Sequence, residues 1–259
     1  AAWLAAAAGR LRTAAVSALV PLLLFADLKL ASRGINFTAP DTLYGETPSI
    51  VPELRARPDP LFRVFVPTET LGWDIHMYGS QRLEHFIWAA DTLLFNLNLP
   101  YRLFSASDGD PLRSARAREF HSLLESNDDD TRGRFLSLGN VAVILGQESE
   151  GSFARIALPR WMPRVYLSAG ARRVPSGKVL ASLKEAAWNP YIEAIVEDDF
   201  PGEPRPGSGA SLEYQVRKVA YTNNTVTIDV ESAAPGYLVL ADTIYPGWVA
   251  TIDGRTTPI

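Results

Sequence analysis

The sequence predicts an α+β protein with an N-terminal transmembrane helix, a mixed α/β domain and a truncated C-terminal antiparallel β-sandwich. Three observations lead to this prediction. A long apolar segment opens the chain, strand and helix patterns alternate irregularly over residues 61–197, and short strands separated by turn signals fill residues 212–259. With 259 residues, 47% hydrophobic and 21% charged, the chain has an ordinary globular composition and is long enough for two folded units.

Charge and cysteine content narrow the class of protein. A formal net charge of −4 argues against a general nucleic-acid binder, which would carry a basic patch. The chain has no cysteine, which excludes disulfides and thiolate metal sites. We therefore expect no nucleic-acid partner, no metal and no cofactor. Because residue 1 is Ala and only residues 255–259 follow the last turn signal, we also expect an excerpt from a longer protein.

Residues 1–32 are predicted to be membrane-spanning. Residues 13–26 carry no charge, and a span of roughly 20 residues over 13–32 requires that Asp27 be tolerated and that Lys29 reach the interface. Arg10 and Arg12 favour the cytoplasmic side for the preceding loop. The lipid bilayer is then a partner of residues 13–32, and the chain after about residue 32 lies outside the cytoplasmic membrane.

Two alternatives for this segment stay open. A signal peptide also has a basic start and a short apolar stretch, although Asp27-Leu28-Lys29 makes a poor cleavage region. A buried amphipathic helix is the other alternative, in which Pro21 would cost about 3 kcal/mol.

The rest of the chain divides by composition. Residues 33–60 are polar and proline-rich, which predicts an extended connector. An α+β domain is predicted over 61–197, with strands at 62–66, 140–145, 164–168 and 191–196, and helices at 111–125, 131–138 and 176–186. Residues 198–211 hold three prolines and three glycines and predict a linker. The β-sandwich, incomplete at its C-terminus, occupies 212–259, with Tyr237–Ala241 as its buried central strand.

A Tyr-Pro-Gly-Trp sequence marks a sharp corner in this β region. Pro246 fixes φ and Gly247 permits positive φ, so the chain should bend tightly and redirect the next strand. Asp253-Gly254 predicts a two-residue hairpin turn. Two roles for Tyr245 and Trp248 stay open: packing over the end of the sandwich, or stacking on a sugar.

The stretch from Gly236 to Gly254 resembles the C-terminal extracytoplasmic domain of YfhO-type bacterial membrane proteins. In that family a leucine-rich strand leads to a Tyr-Pro-Gly-Trp corner, a short strand and an Asp-Gly hairpin. A looser similarity in order runs backwards through residues 158–165, 138–145, 120–124 and 107–112, Asn98 and residues 62–64, and Asp27-Leu28 is similar to the family's membrane exit.

The resemblance implies a parent protein of the GT-C class, which transfers sugars from polyprenyl-phosphate carriers to cell-envelope polymers. The catalytic acid of that family lies upstream of anything matched here, so no catalytic residue carries over. The predicted function is an accessory region at a bacterial cytoplasmic membrane that contacts an envelope glycan or a lipid-linked sugar. Its site would comprise Tyr245, Pro246, Gly247, Trp248, Asp253 and Gly254. The alternative is a carbohydrate-binding or purely structural β module without catalysis.

Other constellations favour ordinary structural roles. Asp74 and His76 would share a strand face but lack a third ligand at suitable spacing, so surface or hydrogen-bonded positions are favoured for His76, His85 and His121. Asp108 and Asp110 match a D-x-D pattern, yet their place before Pro111 favours a turn and a helix N-cap. Residues 127–130 resemble a calcium loop only superficially.

Overall fold

The structure, a computed structural model, describes residues 2–32, 45–67, 89–94, 96–107, 114–149 and 152–259. These residues mix helix and strand and fall into two compact units, one represented by 2–32 and 45–48 and the other by the described residues from 49 onwards. The α-helices are α1 (Ala2–Ala31), α2 (Ile50–Arg55), α3 (Ala115–Leu124), α4 (Asp129–Leu138) and α5 (Val179–Lys184). Short 3-10 helices cover Leu99–Tyr101 and Ser176–Lys178.

Helix α1 corrects the prediction for the N-terminus. Among the helices of the described residues, none has both the length and the apolar character needed to cross a bilayer, so the predicted transmembrane helix in 1–32 is wrong. The placement in a bacterial cytoplasmic membrane, with the chain after residue 32 outside, is wrong with it. The length of the uncharged segment explains this. Residues 13–26 rise only roughly 21 Å at about 1.5 Å per residue, whereas the hydrocarbon core of a bilayer is about 30 Å thick. Arg12 and Asp27 bound that run.

A four-stranded sheet forms the centre of the second unit, in the order β2-β1-β3-β4. Its strands are β1 (Arg63–Phe65), β2 (Phe104–Ser105), β3 (Val141–Ser149) and β4 (Ser152–Ala157). Strand β1 runs parallel to both β2 and β3, while β4 returns antiparallel to β3. Strands β2 and β3 lie on either side of β1, and the connection between them passes through α3 and α4, since strands of the same direction require a long crossover.

The two crossover helices close the main core. Phe65 of β1, Phe135 of α4 and Val141 of β3 are fully buried in one cluster, and the rings of Phe120 and Phe135 meet edge to face at 5.4 Å. Each such side chain contributes about 1.5–3 kcal/mol when fully buried. This core fixes β1 beside β3 and so determines where the side chain of Arg63 lies.

Capping residues decide where these helices begin. The hydroxyl of Ser114 accepts a hydrogen bond from the Ala117 amide at 3.2 Å, and α3 begins at Ala115, later than the Pro111 start that the sequence predicted. Asp128 caps α4 by accepting from the Thr131 amide at 3.1 Å. The predicted N-cap Asp110 lies outside the described residues.

The C-terminal strands form separate two-stranded ladders. Strand β5 (Val165–Ser168) pairs antiparallel with β10 (Tyr237–Leu240), and β6 (Gly170–Val174) pairs parallel with β7 (Glu193–Glu197). Strands β8 (Tyr214–Tyr221) and β9 (Val226–Ser232) form a hairpin, as do β11 (Ala250–Ile252) and β12 (Arg255–Thr257).

The predicted β-sandwich is therefore wrong. The described strands beyond residue 212 do not build two facing sheets, and β10, predicted as a buried central strand, leaves Leu238 41% exposed. The partner of β10 is β5, which lies about 70 residues earlier in the chain and is buried along its whole length. One buried neighbouring strand can cover an apolar strand as well as a second sheet can. Hydrophobic periodicity does not distinguish these two arrangements.

Two segments predicted to lack regular structure make specific contacts. Within 33–60, the described part contains α2, whose Ile50, Val51 and Leu54 are buried. Within 198–211, Arg205 accepts a hydrogen bond from the Ala171 amide at 2.7 Å and donates its own amide to the Tyr237 hydroxyl at 2.8 Å. The predicted domain boundary at 198–211 stays a prediction.

The guanidinium of Arg173 holds the start of the 198–211 segment. It donates to the carbonyl oxygens of Glu197, Asp198, Phe200 and Gly202 at 3.2, 2.8, 2.9 and 2.5 Å. Farther along, Gly170 and Gly207 approach so closely that a Cβ on Gly170 would lie 2.0 Å from the Gly207 nitrogen. The segment is thus attached to β6 at both ends.

Candidate functional site

The Tyr-Pro-Gly-Trp corner forms a tight turn between β10 and β11. The Trp248 amide donates to the Tyr245 carbonyl at 3.3 Å, and Gly247 has φ of +98°. With proline before it, a positive φ at the third position defines a type II turn, which an L residue at Gly247 would strain. Local chemistry therefore holds Tyr245 and Trp248 at opposite ends of one rigid turn.

Both aromatic side chains of the corner are exposed to solvent. Tyr245 and Trp248 are each 43% exposed, and the neighbouring Ile244 and Val249 are 53% and 70% exposed. Because the described strands form no sandwich, Trp248 has no sandwich end over which to pack as predicted. A cluster of exposed large apolar residues on a folded protein usually marks an interaction site.

The β11–β12 hairpin follows the corner. Asp253 and Gly254 both have positive φ, 50° and 77°, which is the signature of a two-residue type I′ turn and of the Asp-Gly pair that favours it. Ile252 pairs with Arg255 across the ladder and is 57% exposed. Asp253 and Gly254 thus shape the hairpin, while the apolar surface comes from Ile252 and the corner.

A buried ion cluster lies immediately before the corner. Asp242 Oδ1 lies 2.7 Å from Nη2 of Arg63 and 2.7 Å from Nη2 of Arg164, and its Oδ2 accepts from the Tyr221 hydroxyl at 3.0 Å. The side chains of Arg63, Arg164 and Asp242 are only 14%, 6% and 17% exposed. This cluster joins β1, the residue before β5, the end of β8 and the end of β10.

Aromatic rings complete the surroundings of the two arginines. The Arg164 guanidinium carbon lies 4.3 Å from the Phe104 ring centroid and 5.2 Å from that of Tyr221. Arg63 also donates from Nη1 to the Gly139 carbonyl at 2.7 Å. Two cations share one carboxylate here, and the negative ring faces offset part of the remaining positive charge.

Burial sets the protonation behaviour of the cluster. Desolvation, with the neighbouring Arg164 charge, lowers the pKa of Arg63 to about 10. Desolvation raises the pKa of Tyr221 to about 12. Arg63 and Tyr221 therefore both keep their protons near neutral pH.

The sequence pattern did not single out these four residues. Arg63 and Asp242 are separated by 179 positions, and no local motif connects them. The sequence contained only a weak signal for this cluster. A charged residue such as Arg63 at the start of an otherwise apolar strand indicates an oppositely charged or hydrogen-bonding partner when that strand lies inside a sheet. The identity of that partner depended on tertiary structure.

The other candidate groups of residues either have structural roles or lie outside the described residues. His121 lies on α3 with its ring 6.0 Å from that of Phe65, and Asp128 caps α4. Hydrogen bonding by Thr131 lowers the pKa of Asp128, as expected for a cap. Asp74, His76, His85, Asp108 and Asp110 lie outside the described residues. Among the described side chains, no group of three or more His, Asp or Glu is arranged to hold a metal ion.

Comparison with protein-family models, with curated proteins and with solved structures finds no match for this chain. The resemblance to YfhO-type proteins therefore stays a prediction. The candidate site is the exposed aromatic corner, Tyr245 to Trp248, attached to the buried cluster around Asp242. Its chemistry is that of binding: two aromatic faces on a rigid turn, with apolar neighbours and the exposed hydroxyls of Thr243 and Thr251 nearby in sequence.

Proposed function

We propose that this chain is a non-catalytic accessory module that binds a glycan through the aromatic corner formed by Tyr245 and Trp248. The observation that carries the proposal is the exposure of both rings, 43% each, on a turn whose geometry is fixed by Pro246 and Gly247. Because the backbone between the two rings is fixed before binding, little backbone entropy is lost when a ligand binds. Large exposed rings are costly to leave in water unless they serve a contact.

A sugar suits this surface better than an extended apolar partner. The axial C–H faces of a pyranose ring pack on aromatic rings, and its equatorial hydroxyls need donors and acceptors around the rings. The hydroxyls of Thr243, Thr251 and Thr256 are on exposed residues of the corner and hairpin. Mixed apolar and hydroxyl surfaces of this kind match the mixed surface of a carbohydrate.

The resemblance to the YfhO-type family supports the class of glycan. It suggests a cell-envelope polymer, or the lipid-linked sugar from which such a polymer is built, and a glycosyltransferase as the enzyme that the module serves. A purely structural role is the rival, and it predicts no saturable binding of any sugar.

The test is titration of the chain with soluble cell-envelope oligosaccharides and their constituent monosaccharides, followed by calorimetry and tryptophan emission. We expect saturable binding that Trp248→Ala weakens at least tenfold, equivalent to about 1.4 kcal/mol. Trp248→Phe keeps a ring and should retain most of the affinity. Val249→Ala, at a residue 70% exposed, is the matched control for loss of apolar surface without loss of a ring. Absence of saturable binding across the panel would favour the structural role.

A further inference from the structure

We infer that the buried Arg63–Asp242–Arg164 cluster positions the aromatic corner, and that Asp242 is a positioning residue for ligand binding there. This inference rests on the proposed function for its ligand, although its geometry does not.

Few contacts attach residues 243–259 to the rest of the second unit. Within this stretch, only Ala250 and Thr257 are partly buried and the other residues are exposed. Among the described backbone hydrogen bonds, those of residues 243–259 are the turn bond from Trp248 to Tyr245 and the ladder between β11 and β12. The backbone hydrogen bonds of the segment are thus internal to it.

The attachment is concentrated at Ala241 and Asp242. The Ala241 amide donates to the Arg164 carbonyl at 2.9 Å, and its carbonyl accepts from Arg63 Nη2 at 2.6 Å. Asp242 then binds both guanidinium groups and the Tyr221 hydroxyl. Since Tyr245 follows Asp242 by only three residues, the direction in which the chain leaves this anchor sets where the corner points.

A carboxylate is required at this position. One Asp242 oxygen lies 2.7 Å from a guanidinium nitrogen of Arg63 and 2.7 Å from one of Arg164. An amide of the same shape can keep an oxygen at that position, with its NH₂ group facing the Tyr221 hydroxyl, but it supplies no negative charge. Arg63 and Arg164 would then repel each other across an uncharged side chain, and residues 241–242 would move away from the anchor while β10 stays paired with β5.

The inference predicts a defect in the corner of the folded variant that a loss of global stability alone does not cause. We compare Asp242→Asn with Gly207→Ala, a destabilising change whose new Cβ would meet Ile192 and Gly170, and with Asp229→Asn, which removes an exposed aspartate. The readouts are oligosaccharide affinity, acrylamide quenching of the emission assigned to Trp248 by subtraction of Trp248→Phe, and urea unfolding.

For Asp242→Asn under conditions where it is folded, we expect roughly tenfold weaker binding and changed Trp248 quenching, as misplacement of a pre-formed contact should cause. Gly207→Ala and Asp229→Asn should keep the wild-type affinity and quenching. A folded Asp242→Asn with wild-type affinity and quenching overturns the inference.

Two further arms keep the test decisive. If Asp242→Asn fails to fold, Tyr221→Phe removes one hydrogen bond to Asp242 and keeps the ring, and it should shift Trp248 quenching in the same direction; unchanged quenching overturns the inference. If the wild-type chain binds no oligosaccharide, the proposed function fails, and the quenching comparison alone decides whether Asp242 positions the corner.

Discussion

Asp242→Asn is also expected to lower the free energy of unfolding substantially. The carboxylate makes contacts of 2.7, 2.7 and 3.0 Å with Arg63, Arg164 and Tyr221, and it is only 17% exposed. Removing one partner of a buried ion pair costs about 3–5 kcal/mol because the other charge stays buried and uncompensated, whereas an exposed pair contributes about 0–1 kcal/mol. Residual exposure of Asp242 places the expected loss near the lower end, at about 3 kcal/mol.

Urea unfolding, followed by circular dichroism and tryptophan emission, measures this loss. With an m-value of about 3 kcal/mol/M, the midpoint should fall by about 1 M while the m-value stays constant. Asp229→Asn removes the same charge from an exposed position on β9 and should change stability by less than about 0.5 kcal/mol. A loss for Asp242→Asn no larger than that of Asp229→Asn would refute the idea that the cluster is a buried, mutually dependent set of charges.

Two further predictions concern packing and pH. Gly207→Ala should cost about 1–3 kcal/mol, because the new Cβ would lie 2.5 Å from the Ile192 carbonyl oxygen; Gly177→Ala, with no atom within 4 Å, is the control, and equal midpoints in urea would contradict the prediction. Tyr221 has a folded-state pKa of about 12 against an ordinary value of 10.0, so its contribution to stability is complete below pH 10 and is lost as the pH rises to 12. The depressed pKa of Arg63, about 10, acts in the opposite direction over the same range, in both wild type and variant. Tyr221→Phe should therefore lose less stability than wild type between pH 10 and 12 in urea titrations, and parallel losses would exclude this role.

Much of the local structure followed from residue chemistry alone. Pro246 and Gly247 determine the type II turn, and Asp253-Gly254 determines the hairpin turn, because each needs only the φ preferences of its own residues. Strand β3 was likewise predictable from its apolar run. These residues accordingly predict the turn from Tyr245 to Trp248, whereas a binding role for this corner stays a proposal.

Two predictions from apolar runs were wrong, one because the outcome depended on a distant partner and one because the run itself is too short. The run at 237–241 predicted a buried strand inside a sandwich, and β10 instead lies beside β5 with Leu238 exposed. The apolar run at 13–26 predicted a membrane span that its length and bounding charges do not support. An apolar run indicates that its side chains tend to be buried, but it does not indicate which part of the protein buries them.

The sequence by itself determined the turns and the position of the two aromatic residues at the corner, since these depend on interactions within a few residues of chain. Tertiary structure alone decided that Asp242 meets Arg63, 179 positions away, and Arg164, and that the corner therefore extends from a buried anchor. The physical reason is that a buried charge requires compensation from whichever chain segments packing brings together. That packing is a property of the whole second unit, and no short stretch of its sequence contains it.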